Sequence, residues 1–105
     1  MASRTKKISI LGREWKIVTK KLPDADGKCN PGVHEIWIDG NINEAATSKN
    51  RVIRHEIIHA FMFESGLGYN FSPEDVVDVN ETMVDWFAIQ YPKIRKVFVE
   101  LGIEE

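Results

Sequence analysis

Two histidines and a glutamate stand close together in the most apolar segment of this chain. His55, Glu56 and His59 lie within RVIRHEIIHAF, residues 51–61. On an α-helix, His55 and His59 would share one face, one turn apart, because residues four apart differ by about 40° around the axis. Two imidazoles at this spacing can bind one tetrahedral metal ion, typically zinc. The segment therefore predicts a metal-binding helix.

Apolar residues surround this motif on every side of the predicted helix. A helix of that kind is expected to be buried, and burying imidazoles and a carboxylate without partners is costly. Metal binding would offset this cost. The alternative is that both histidines are core residues with ordinary hydrogen bonds, which is a poor packing choice for three ionisable groups.

A zinc site of this kind needs at least one further protein ligand. The chain has a single cysteine, so the candidates are carboxylates or His34. Glu81 and Asp85, within NETMVDWFA, are again four residues apart, beside the apolar face of a second predicted helix. We expect Glu81 to reach the metal and Asp85 to support a ligand histidine. Glu64 follows His59 by five residues and would point about 140° away from it, which disfavours it as a ligand.

Two histidines and one glutamate would leave the fourth position on zinc open to water. Zinc lowers the pKa of such a water toward ~7, and Glu56 is placed to take its proton. The hydroxide would attack a carbonyl that zinc polarises, and Glu56 would pass the proton to the leaving amine. His34, and Tyr69 in GLGYNF, are candidates for contacting the substrate or the oxyanion. Their simpler interpretations are a surface or edge residue and a loop aromatic packed on the core.

HEIIH followed by NETMVDWFA resembles the gluzincins, zinc metallopeptidases that take their third ligand from a downstream helix. The gap from His59 to Glu81 is 81 − 59 = 22 residues. The closest resemblance is to the small ImmA/IrrE-like metallopeptidases of phages and mobile elements. Their pattern is a strand of the IWID type, then His-Glu-x-x-His, then Glu-x-x-Ala-Asn/Asp-x-Phe-Ala. This chain matches it over residues 33–91, with Val84 in place of the alanine.

The resemblance implies a role for each residue of the motif. His55, His59 and Glu81 would be the zinc ligands, Glu56 the catalytic base, and Asp85 a partner of a ligand. It implies a cytosolic zinc peptidase acting on a protein substrate. The resemblance does not include the DNA-binding domain that many relatives carry, so it does not imply a regulatory role.

The first half of the chain has the periodicity of β-strands. Alternating apolar residues predict a hairpin over about residues 6–20, with Gly12 in its turn. The stretch 23–32 is dense in Pro, Gly, Asn and Asp and predicts a loop. VHEIWID, residues 33–39, predicts a third strand. An extended peptide could add to residues 33–38 if they formed the edge of the sheet.

The second half has the periodicity of helices. A helix is predicted to begin between Asn43 and Ser48 and to end near Ser65, with Gly66 as its cap. SPED at 72–75 predicts the start of a second helix, which should reach about Tyr91, before Pro92. A short last helix should stop at Gly102. Together these elements predict one α+β zincin-like domain over residues 1–105. A three-stranded antiparallel or mixed sheet would pack on the metal-binding helix, the Glu81 helix and the short C-terminal helix.

Charge and composition narrow the class of partner. The net charge is −2 and the pI about 5.9, so a basic face for nucleic acid is not expected. A lone cysteine, no secretory leader and no apolar run near ~20 residues predict a cytoplasmic protein without a membrane partner. The expected partner is a protein or peptide substrate, and a regulatory protein is a further possibility.

Two other classes of function stay open. One is a non-catalytic interaction module in which zinc only holds helices together, with Asp78 or His34 as a fourth ligand. The other is a regulatory protein of a phage or mobile element that binds its partner without cutting it.

Overall fold

The structure is a computed structural model that describes residues 4–41, 46–66 and 76–104. In the helices, side chains are described at residues 48–64, at Met83 and from Trp86 onward. The chain order is β1 (Arg4–Ile10), β2 (Arg13–Lys20), β3 (Gly27–Asn30), β4 (Glu35–Asp39), α1 (Ala46–Glu64) and α2 (Val76–Leu101). The described residues form a small α+β fold with a four-stranded mixed sheet and two helices.

The predicted hairpin is confirmed. β1 and β2 pair antiparallel, with Ile10 opposite Arg13. The two residues between the strands, Leu11 and Gly12, both have positive φ, 50° and 87°. Positive φ at both central residues is the requirement of a type I′ turn, whose twist matches that of paired strands. The turn that the sequence places at Gly12 therefore includes Leu11 in an uncommon conformation for a branched side chain.

β3 lies inside the segment 23–32 that was predicted to be a loop, so that prediction is wrong for four of its residues. GKCN has the composition of a turn and little intrinsic preference for a strand. It is extended because it pairs antiparallel with β4, with Gly27 opposite Ile38 and Cys29 opposite Ile36. This pairing is a tertiary contact that no local pattern specifies.

β4 lies in the interior of the sheet, whose strand order is β1-β2-β4-β3. It runs parallel to β2 and antiparallel to β3. The prediction that residues 33–38 form an edge strand is therefore wrong, as is the count of three strands. Val33 and His34 lie in the turn before β4, where His34 has a φ of 55°. Ile36 and Ile38 alternate into the core and are fully buried.

α1 begins and ends where the sequence predicts. It starts at Ala46, inside the predicted window, and ends at Glu64. Gly66 has a φ of 89° and donates its N–H to the Phe63 carbonyl (3.1 Å), which caps the helix C-terminus.

α2 runs through Pro92 without a break, so the two helices predicted for this region are one. The predicted start at 72–75 lies outside the described residues. Proline removes one helical hydrogen bond and crowds the carbonyl four residues back. Pro92 and Ala88 are both exposed, so water can reach that carbonyl. Buried side chains on either side of the proline, Trp86 and Ile94, hold both halves of the helix on the core.

The core lies between one face of the sheet and the two helices. α1 contacts β1, β3 and β4, and α2 contacts α1 and β1. The buried apolar side chains of this cluster are Ile10, Trp15, Ile17, Ile36, Ile38, Val52, Ile57, Ala60, Phe61, Trp86, Ile94, Val97 and Ile103. None of the helices in the described part of the chain has the length and apolarity to cross a membrane.

Candidate metal centre

His55 and His59 project from the same side of α1, one turn apart, as their spacing predicts. Their Nε2 atoms are 3.2 Å apart. The ring centroids are 4.8 Å apart and the ring planes are inclined by 70°. Both imidazoles therefore direct the same nitrogen toward one point beside the helix.

The burial of this motif differs from the prediction. His55 and His59 are exposed, whereas Glu56 is buried, with 7% of its surface accessible. The reason is that α1 buries one side only: Val52, Glu56 and Ala60 form an inward row, and the histidines lie in the row beside it. Glu56 is the one buried charged side chain among the described residues. The cost of desolvation thus falls on the carboxylate rather than on the imidazoles.

The geometry of the histidine pair fits zinc. Ligand nitrogens at ~2.0–2.1 Å from a tetrahedral ion are ~3.3–3.4 Å apart. The observed 3.2 Å between the Nε2 atoms is close to this value, so the separation of the two nitrogens is compatible with their binding one ion. The same distance suits an N–H···N hydrogen bond between two neutral imidazoles when one of them carries its proton on Nε2.

Glu56 faces the first part of β3. Its Oε2 atom lies 3.2 Å from the point where a Cβ on Gly27 would stand. The charge of Glu56 also affects the pKa of Cys29, two residues along the strand. Burial, and secondly the negative charge of Glu56, raise the pKa of the Cys29 thiol to about 12. Cys29 is therefore a strand residue whose thiol lies within electrostatic reach of Glu56.

The remaining predicted residues fall in regions where side chains are not described. Glu81, Asp85 and Asp78 lie on α2, so their place in the helix is given but their side chains are not. Tyr69 lies outside the described residues. Among the side chains that the structure does describe, no three of the type His, Cys, Asp or Glu converge on a common point. Glu81 as the third ligand stays a prediction.

His34 and Glu64 belong to a different cluster, at the C-terminal end of α1. Glu64 Oε1 accepts a hydrogen bond from Trp15 Nε1 (2.8 Å) and lies 3.3 Å from Arg13 Nε. His34 Nε2 is 3.7 Å from the same oxygen, and its ring packs edge-on against Trp15 with centroids 5.3 Å apart. Sequence reasoning missed this cluster because Trp15 and Glu64 are 49 positions apart. No local pattern pairs them.

Comparison with known proteins returned no match to a family model, a curated protein or a solved structure. The argument for function accordingly starts from the motif and from the geometry of these side chains.

Proposed function

We propose that this protein is a zinc-dependent peptidase with a zincin-like architecture. The observation that carries the proposal is the meeting of the His55 and His59 Nε2 atoms at 3.2 Å, beside a buried Glu56. His55, His59 and Glu81 would hold the ion. Asp85 would orient one of the ligand histidines through a hydrogen bond.

The chemistry assigned to the chain is a proton transfer by Glu56. Zinc, when bound, would supply Lewis-acid activation of a water molecule and of the substrate carbonyl. Glu56 takes the proton of the attacking water and then donates it to the amine that leaves when the peptide bond breaks.

The open edge of β3 is the place where an extended substrate would pair with the sheet. Asp39 donates its N–H to the Asp26 carbonyl (2.8 Å), which sets the phase of hydrogen bonding between β4 and β3. Main-chain groups alternate between the two sides of an antiparallel strand. Gly27 and Cys29 therefore direct their N–H and C=O groups away from β4, toward the side where no described strand lies. These are the residues with which a peptide would pair, in place of the 33–38 segment.

The zinc content of the purified protein tests whether the proposed metal site exists. We expect about one zinc per chain by elemental analysis of the purified protein, lost or weakened in His55→Ala, His59→Ala and Glu81→Ala. His34→Ala is the matched control, because His34 packs on Trp15 and Glu64. Absence of zinc from the parent protein, even after zinc is supplied, would overturn the proposal. Loss of zinc in His34→Ala would instead favour a closed structural site.

Activity separates a peptidase from a zinc-stabilised binding module. Glu56→Gln should retain zinc and lose cleavage of an unfolded protein substrate by about 100-fold or more. If the zinc-loaded parent protein cleaves no protein or peptide offered to it, the catalytic part of the proposal fails while the metal site stands.

A further inference from the structure

Gly27 lies where β3 crosses α1 at its closest approach to Glu56. A Cβ atom built on Gly27 would stand 2.8 Å from Val52 Cγ1, 3.1 Å from Glu56 Cγ and 3.2 Å from Glu56 Oε2. Favourable separations between non-bonded carbon atoms are about 3.5–4.0 Å. Any side chain at this position would therefore displace the strand, Val52 or Glu56.

The strand has little room to move. Gly27 pairs with Ile38, which is fully buried in the interior strand β4. The residue before it is held by the hydrogen bond from Asp39 N–H to the Asp26 carbonyl. Val52 is buried and β-branched, so its χ1 is effectively restricted to one rotamer in a helix. The Glu56 side chain, with more rotatable bonds, is the neighbour that would yield.

We propose that Gly27 is a positioning residue for Glu56: its missing side chain lets the backbone of β3 cover the carboxylate and fix its place on the inward side of α1. This inference rests on the proposed function for its catalytic consequence. Its structural content, that residue 27 sets the position of the Glu56 carboxylate, can be measured without metal or substrate.

The first test is NMR of the metal-free protein labelled with ¹³C at the glutamate side-chain carboxyls. Glu56→Gln assigns the Glu56 resonance by its disappearance. We expect Gly27→Ala to shift that resonance. Gly40→Ala is the matched control and should leave it in place, because the atom nearest to a Cβ on Gly40 is Thr19 Cγ2, at an ordinary contact distance of 3.5 Å. An unchanged Glu56 resonance in Gly27→Ala would overturn the proposal.

A double variant separates the positioning of Glu56 from packing on Val52. Gly27→Ala combined with Val52→Ala removes the closest contact and keeps the two contacts with Glu56. Relative to Val52→Ala alone, we expect the Glu56 resonance to stay shifted. Its return to the reference position would show that Gly27 serves only the packing of Val52. The double variant also keeps the test available if Gly27→Ala alone does not fold.

Kinetics with the zinc-loaded protein test whether Gly27 affects catalysis through Glu56. Gly27→Ala should bind zinc nearly as well as the parent protein, because the atoms nearest the new Cβ belong to Val52 and Glu56, which are not proposed ligands. Displacement of a catalytic group by a fraction of an ångström to 1 Å should lower kcat by about 10–100-fold, with KM little changed. Equal kcat values in Gly27→Ala and Gly40→Ala would overturn the catalytic part. A parent protein without peptidase activity would refute the proposed function, and the carboxyl resonance would still decide the position of Glu56.

Discussion

At the scale of single residues, the central feature is that two neighbours in the chain have opposite environments. His55 is exposed and Glu56 is buried, because they occupy adjacent rows on α1, about 100° apart. The exposed row leaves the imidazoles open to a metal ion from solution. The buried row places the carboxylate under β3. Under the proposed function, the buried row would hold the general base and the exposed row the metal ligands, within one helical turn.

Cys29 offers a test of the electrostatics beside Glu56. Its pKa is raised from 9.0 to about 12 by burial and then by the Glu56 charge. The folded, metal-free protein should therefore hold far less thiolate at pH 8 than the chain unfolded in urea, and should react more slowly with iodoacetamide. Glu56→Gln removes the negative charge, lowers the Cys29 pKa and should speed alkylation, which mass spectrometry can follow.

Glu35→Gln provides the control for this experiment. Glu35 lies on β4, but its carboxylate accepts a hydrogen bond from Trp37 Nε1 (2.7 Å), and both residues alternate with the buried Ile36. It should leave the alkylation rate of Cys29 unchanged. Equal alkylation rates in the parent protein and in Glu56→Gln would show that the charge of Glu56 does not affect the pKa of Cys29.

At the scale of elements, the Glu64 cluster ties the end of α1 to the start of β2 and to the turn before β4. Trp15 is fully buried, so its indole N–H needs an acceptor, and Glu64 supplies one at 2.8 Å. The side chains of Arg13 and His34 contact the same Glu64 carboxylate. This cluster holds the C-terminal end of α1 against the sheet.

Glu64→Ala should therefore destabilise the fold without removing the metal site. A buried donor left without an acceptor costs about 1–3 kcal/mol. We expect a loss of that size in the free energy of unfolding, measured by urea denaturation, with zinc content unchanged. Glu64→Gln retains a carbonyl acceptor for Trp15 and should recover most of the loss. A drop in zinc content in both variants would mean that Glu64 contributes to the metal centre after all.

At the scale of the whole molecule, the segment after α2 packs back against α1. Arg54 Nη1 donates to the carbonyl of Ile103 (2.6 Å), which joins the residue before His55 to the segment after α2. Ile103 is buried in the same core as the sheet and α1. The turn is made by Gly102, with a φ of 68°, and by the Ile103 N–H bonded to the Phe98 carbonyl (3.0 Å).

Ile103→Ala tests how much the packing of the segment after α2 contributes to stability. Truncating a buried isoleucine costs about 2–5 kcal/mol through lost burial and the cavity left behind. Val99→Ala, at a half-exposed position near the end of α2, should change the free energy of unfolding far less. Similar small losses in both variants would mean that the segment after α2 is not part of the cooperative fold.

Local chemistry in the sequence determined much of this molecule. Gly12 between two alternating segments predicted the hairpin, because a type I′ turn needs positive φ that glycine adopts freely. The helix-forming residues that follow Asn43 and the glycine at 66 predicted α1 with its cap. The four-residue spacing of His55 and His59 placed both imidazoles on one face, because helical geometry depends only on sequence separation.

The tertiary structure alone decided how those parts meet. GKCN became a strand, and β4 an interior strand, through pairing between distant segments, which has no signature in a local window. Pro92 stayed within α2 because core contacts on both sides of it outweigh one missing hydrogen bond. Most of all, the side of α1 that is buried depends on where β3 lies. Gly27 lies against Glu56 in a space that would not hold a side chain, a contact that no local pattern in the sequence predicts.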